Sequence, residues 1–358
     1  MAEPTASPPA PSPSHWRTQL ALATAWSTGV TFAGALALTA LVLWLTGQPV
    51  FGTFALMLRT ALGSKVGLAD TLLQATPLIL CGLACAVSFR AGVFNVGVEG
   101  ALYLGAFAAA WTGFTFVGLG RLPLIAACLV AAAVVGALWL AVPAALKAYL
   151  DVDEVVSTLM LNYVALSVTS YLVNYPFRAP GLANSMSPAV AEQARLTRLL
   201  PPSQLNASLI LALLLTLAVA WMFGRTRLGV SIRTLGNNPR FARVMGIPVP
   251  RLMVLTMLLS GAIGGLAGGS QVLGVNYRFI DGFSPGWGFD GITITLLARH
   301  NPWGILVTAL VFGMLRNGGG MIQVFSKVPI SIVDILQAAV ILLVTAQVAV
   351  PSLRRATS

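Results

Sequence analysis

Long apolar runs alternate with short polar breaks along the chain. A membrane-crossing helix needs about 20 mostly apolar residues, and runs of that kind lie near 22–46, 69–89, 98–118, 122–146, 155–175, 206–224, 252–274 and 330–350. Two further segments are short or interrupted: Gly286–Ala298, and Pro302–Leu315, which closes in Arg316-Asn317-Gly318-Gly319-Gly320. The pattern predicts an all-α polytopic membrane protein of about ten transmembrane helices, some of them broken. Residues 1–18 read as a disordered tail, 19–350 as the transmembrane domain and 351–358 as a second tail. A loop over 176–205 is interrupted by Pro and Gly, and its stretch 188–200 is expected to form a short amphipathic helix.

Composition sharpens this picture. The chain has 358 residues, 57% hydrophobic and 9% charged, with a mean hydropathy of +0.86. So few charges cannot coat a water-soluble globule of this length, which excludes an ordinary cytosolic enzyme, a nucleic-acid-binding domain and a disulfide-stapled secreted module. The net charge of +11 is read through the gathering of Lys and Arg in cytoplasmic loops. The loop 225–251 holds Arg225, Arg227, Arg233, Arg240, Arg243 and Arg251 without one acid, and Arg354 and Arg355 follow near the end. Both termini are therefore expected in the cytoplasm, and the loop 176–205 outside. Cys81, Cys85 and Cys128 lie in apolar runs and read as small buried hydrophobes.

Gly97-Val98-Glu99-Gly100 and Gly288-Phe289-Asp290-Gly291 share one pattern, and each opens an apolar helix after a Gly- and Phe-bearing interruption. In the expected topology the two helices start from opposite sides, as in an inverted repeat whose broken helices meet at the midplane. Charges at membrane depth are expensive. Glu99 and Asp290 either line a polar solute path or hold the broken segments together, and Asn162 either bridges helices or faces a solute. Asp334 reads as an interfacial anchor. Phe94, Tyr163, Trp287 and Phe289 flank these positions as stacking partners or as packing. The glycines of 261–269 have the spacing of a tight helix crossing.

Catalytic chemistry is nearly absent. Gly-Lys never occurs, so no P-loop cradles ATP. The two histidines, His15 and His300, cannot build a histidine metal site, and no nucleophile–base set assembles. The sequence Gly286-Trp-Gly-Phe-Asp-Gly291 matches a dinucleotide fingerprint in letters, but no strand precedes it. Within the basic loop, 235–247 reads as one short helix, with Asn238 as cap, Pro239 in the first turn and Gly246 at the end. Phe241, Val244 and Met245 share a face beside Arg240 and Arg243, which suits either a rest on lipid headgroups or insertion into a groove of a soluble partner; two turns are short for a membrane anchor, which favours the partner.

The stretches FRAGVFNVGVEGALYLGA (89–106), DEVVSTLMLNYVAL (153–166), LGNNPRFARVMGI (235–247) and GFDGITITLLARHNPWGIL (288–306) resemble permease subunits of bacterial ABC importers. The group is the branched-chain amino acid/simple-sugar permease family, and within it the nucleoside type. The resemblance covers most of 65–350 and implies an inner-membrane subunit with no ATPase and no cofactor of its own. ATP and Mg would be bound by a partner ATPase with two nucleotide-binding domains. A second permease and an extracytoplasmic substrate-binding lipoprotein complete the set, and no nucleic acid is involved. It further implies that Gly236, Asn238, Pro239, Phe241, Ala242, Arg243 and Gly246 couple to the ATPase, while Phe94, Asn95, Glu99, Asn162, Tyr163 and Asp290 lie along the path. His300 departs from the family, where a small residue such as Gly is expected. A sugar or amino-acid permease is the runner-up, and an ion-gradient-driven carrier stands behind it.

Overall fold

Helices form where the apolar runs predict them, because a backbone in hydrocarbon must satisfy its own N–H and C=O groups. The computed structural model describes residues 50–325, with Ala37, Ala40, Leu41 and Trp44. Residues 52–327 form one compact unit. The expected spans 22–46 and 330–350, both tails and Asp334 lie outside the described residues. The elements are α1 (Val50–Leu62), α2 (Lys65–Arg90), α3 (Val98–Thr115), α4 (Arg121–Leu150), α5 (Glu154–Asn174), α6 (Ser208–Arg225), α7 (Arg227–Asn237), α8 (Pro239–Val244), α9 (Val249–Gln271), α10 (Trp287–Leu297) and α11 (Pro302–Phe325). A π-helical turn, Val272–Asn276, extends α9. Among the described residues there is no strand, and five helices are long and apolar enough to cross a membrane: α2, α4, α5, α6 and α9 with its π turn.

The core is built on close crossings. α9 packs against α4, α3 and α2, and α2 also receives α10 and α11. The small residues of 261–269 make this possible. A Cβ on Gly265 would collide with the Ala132 carbonyl, and one on Gly268 with the Leu102 carbonyl, so the backbones of α9, α4 and α3 touch directly. The tight-crossing reading of this tract holds.

Three local expectations are corrected. The segment opened by Pro302 does not close at Arg316-Asn317-Gly318-Gly319-Gly320: α11 continues through it to Phe325. The segment 235–247 is not one helix: Leu235–Asn237 belong to α7, and a break at Asn238 starts α8. Asn238 still caps α8, its Oδ1 accepting from the N–H groups of Arg240 and Phe241 at 3.0 Å each. The stretch 188–200 holds only one 3-10 turn, Glu192–Ala194. Its backbone is instead spent on a distant segment, with Ser187 N–H donating to Phe279 and Val190 N–H to Tyr277. A thirteen-residue helix, α1, was not anticipated, since Arg59 and its length keep it below the spanning threshold.

Candidate functional site

Between α2 and α3 the chain leaves helical geometry over 91–97, which frees backbone groups inside the bundle. Side chains from the break itself and from α5 satisfy them. Asn95 Oδ1 accepts from Gly97 N–H at 2.8 Å, and its amide donates to Ser260 Oγ at 2.9 Å. Thr158 Oγ1 accepts from Val96 N–H at 3.2 Å. Asn162 donates to the Val96 carbonyl and accepts from Gly100 N–H, both at 2.9 Å. Both asparagines are buried, and each uses its amide as donor and acceptor, which is the chemistry that holds a broken helix in apolar surroundings.

The second break, 277–286, leads into α10. Its end meets the first: Gly288 N–H donates to Glu99 Oε2 at 2.6 Å. The two Gly-x-acid-Gly motifs thus touch. Glu99 lies in the first turn of α3 and Asp290 in the first turn of α10, where a helix favours negative charge. From this junction the helices leave in opposite directions. α3 runs toward Gly113, whose carbonyl accepts from Ala191, whereas α10 runs to the turn whose His300 carbonyl accepts from Arg90. At 1.5 Å per residue the eleven residues of α10 span about 16 Å, half a bilayer core. α10 is thus a half-helix, whereas α3, with its 18 residues, is about 27 Å long and close to a full span; the two helices start at one junction and leave it in opposite directions. Asp290 pairs with Arg316 of α11, both largely buried. The sequence reading had Arg316 only as the residue closing an apolar run.

Beside the junction, toward the end away from the basic loop, lies a cavity of about 480 Å3 lined by Tyr103, Leu166, Ser167, Ser170, Asp281 and Gly282. Tyr103 sits one turn beyond Glu99, and its hydroxyl accepts from Ser284 N–H at 3.3 Å. Its ring lies 5.0 Å from Phe283 and 6.3 Å from Phe279. Asp281 Oδ2 accepts from Ser170 Oγ at 2.8 Å. Sequence reasoning missed Tyr103, Ser170 and Asp281. A signal existed in Tyr163, Ser167, Ser170 and Asn174, polar at helical spacing along the otherwise apolar α5. Tyr163 itself is 63% exposed on the same face of α5 as Ser167 and Ser170, but it is not part of the cavity lining. Phe94 stacks on Phe89 at 4.4 Å, nearer the basic end.

At that basic end, α7 buries Gly229, Ile232 and Leu235, which fixes α8 against the bundle through the buried Ala242. Phe241, Val244 and Met245 are 53%, 84% and 63% exposed, an apolar face without cover among the described residues. Arg240 and Arg243 are exposed beside it, and Gly246 ends the helix at φ 76°.

Residues 67–345 match the family described as branched-chain amino acid transport system / permease component. The chain belongs to this family. The permease is similar to a guanosine ABC transporter permease protein of Bacillus subtilis, 34% identical over 88% of this chain and 91% of that one. It is also similar to a glucose ABC transporter permease protein of Haloferax volcanii, at 35% identity over 81% and 78% of the two chains. A nucleoside ABC transporter permease protein of Lactococcus lactis subsp. cremoris is 32% identical over 82% of this permease and 83% of its own length. As a multi-pass permease component it belongs in a membrane, and the long apolar helices agree.

Proposed function

We propose that this permease is the membrane subunit of an ATP-driven importer that carries nucleosides inward across the cytoplasmic membrane. The observation that carries the coupling half of the reading is the exposed Phe241, Val244, Met245 face on a short helix held rigidly by Ala242 and by α7. An apolar helix face of this kind fits a groove in a soluble partner, here an ATPase with two nucleotide-binding domains. The arginine bias of 225–251 supports placing this end, and both termini, in the cytoplasm. A second permease and an extracytoplasmic lipoprotein delivering solute to the far end complete the assembly. In this reading ATP binding moves α8, and the bundle alternates access as rigid bodies.

For the solute, two of the relatives above act on nucleosides and one on glucose. The cavity favours the nucleoside: the Tyr103 ring in its lining suits a flat base, and Asp281 with Ser170 suits ribose hydroxyls. Asn95 and Asn162 then serve the path by holding the break, and Glu99 and Asp290 by joining α3 to α10 and α10 to α11.

The test is affinity purification of the tagged chain from native membranes, followed by ATP-driven uptake of radiolabelled guanosine into vesicles holding the recovered complex. Recovery of an ATPase and a lipoprotein, with uptake competed by nucleosides and not by glucose, is the expected result. Competition by glucose alone would replace the nucleoside with a sugar, and uptake driven by an ion gradient without ATP would sink the reading entirely.

A further inference from the structure

At the basic end, α2, α6, α7 and the α10–α11 turn enclose a second cavity, of about 440 Å3, which none of the roles above uses. Arg90, Arg233 and Arg299 line it, together with Phe223, Asn301 and Trp303. Arg90 Nη1 donates to the His300 carbonyl at 3.1 Å, and its guanidinium lies 4.6 Å from the centre of the Phe223 ring. Arg233 Nη2 donates to the Phe223 carbonyl at 2.6 Å. All of these partners are neutral. No carboxylate lines the cavity, and the ion pairs among the described residues involve other cations. Three guanidiniums thus converge on one space without a counter-charge. The planar forks of arginine match phosphate oxygens in paired hydrogen bonds.

The surroundings say which phosphate. The wall that α6 contributes, Ala220, Phe223 and Gly224, continues along the helix as Leu217, Leu213 and Ile210, all exposed and at helical spacing. From Ala220 to Ile210 this stripe rises about 15 Å, the hydrocarbon depth of one leaflet. Trp303 is exposed at the cavity mouth, at the start of α11, where an interfacial aromatic belongs. A free anion uses the guanidiniums and leaves the apolar stripe idle, whereas a phospholipid uses both.

We propose that this cavity binds the phosphate of an anionic phospholipid, with one acyl chain lying along Ile210, Leu213 and Leu217 of α6. The assignment rests on the basic end lying at the inner leaflet. Its test needs neither ATPase nor solute, so its failure leaves the transport reading standing.

The full chain, stripped of lipid in a neutral detergent, is titrated with phosphatidylglycerol or with phosphatidylcholine of the same acyl chains and read by native mass spectrometry. One phosphatidylglycerol is expected to stay bound at a concentration at least tenfold below that needed for phosphatidylcholine. The double variant Arg233→Gln/Arg299→Gln is expected to weaken retention about twentyfold, about fivefold for each arginine near an anionic headgroup. Arg225→Gln/Arg227→Gln removes the same charge outside the cavity lining and is expected to change retention less than twofold. Millimolar inorganic phosphate is expected to leave the lipid in place. Equal retention of the two lipids, or equal loss in both double variants, would overturn the site. Displacement by inorganic phosphate would show that the cavity takes a free anion instead. Melting temperature is followed alongside, and if the first double variant melts early, Arg299→Gln alone, in the turn, carries the fivefold expectation.

Discussion

Substituting Gly288 by Ala places a methyl group where α3 and α10 meet. Its Cβ would stand 2.5 Å from the Glu99 backbone nitrogen, 2.7 Å from the Glu99 Cα and 2.7 Å from Oε2. Carbon contacts are most favourable at about 3.5–4.0 Å, so about 1 Å of separation is required. Two of the three obstructing atoms are backbone in the first turn of α3 and cannot swing aside. Overpacking of this kind costs about 1–3 kcal/mol. The same separation stretches the 2.6 Å bond from Gly288 N–H to the carboxylate, and a hydrogen bond to a charged group contributes about 1.5–3 kcal/mol. The sum is about 2.5–6 kcal/mol at a single point. Glu99→Gln keeps volume and acceptor and loses only the charge, so it is expected to weaken the fold by about 1 kcal/mol. Gly224→Ala, whose Cβ meets nothing within 4 Å, serves as the neutral control. The assay is thermal unfolding of the purified chain in detergent, paired with ATP-driven uptake. A Gly288→Ala protein that melts with the wild type and transports at full rate refutes the meeting of α3 and α10 at this contact.

Asp290→Asn and Arg316→Gln each leave a buried charge without its partner and are each expected to lose about 3–5 kcal/mol, seen as lower yield and melting point. The double variant should recover part of that loss, and strictly additive losses would count against the pair. Val244→Asp changes an exposed side chain and should leave melting within about 0.5 kcal/mol of wild type. It should also cut recovery of the ATPase at least tenfold, since burying such a side chain is worth about 1.5–3 kcal/mol; undiminished recovery would remove α8 from the interface. Burial, and then the charge of Arg90, hold the His300 imidazole in the α10–α11 turn below its usual value. The neutral ring is therefore favoured by folding, so its contribution is present above about pH 6.5 and is lost as pH falls through the lowered value. Melting temperature should drop between pH 7 and pH 5, with a shallower drop in His300→Gln; parallel curves for the two proteins would show that His300 does not contribute.

The apolar runs made the helices legible, because hydrocarbon demands both length and continuity from a spanning segment. Asn95, with the glycines around it, marked the first break, and Asn238-Pro239 marked the start of α8, since caps and turns are local chemistry. What stayed hidden depends on partners far along the chain. The extended course of 185–190 follows from bonds to 277–281, so an amphipathic pattern there suggested a helix that tertiary pairing overrides. Asp281 gains its meaning only from Ser170, and Arg316 only from Asp290. The His300 departure does have a local reading: its φ of 58° is in the left-handed region that favours glycine.

A physical route joins the coupling helix to the site. α8 follows α7 directly, and Gly236 near the end of α7 packs on the carbonyl of Arg90, where α2 stops. The next residues of that chain are the break 91–97, whose far end is the first turn of α3 with Glu99, held to Gly288. A displacement of α8 is thus delivered to the one part of α2–α3 that lacks a helical ladder to resist it, and from there to the junction. A Cβ at Gly236 would collide with the Arg90 carbonyl, and a Cβ at Gly92 would stand 3.3 Å from the Gly236 Cα. Gly236→Ala therefore moves α7 off the break without touching the exposed face of α8. ATPase recovery and basal ATP hydrolysis should persist, while solute uptake per ATP falls severalfold. Uptake that keeps pace with hydrolysis in this variant would mean that motion reaches the junction by another path, through α9 instead of α2.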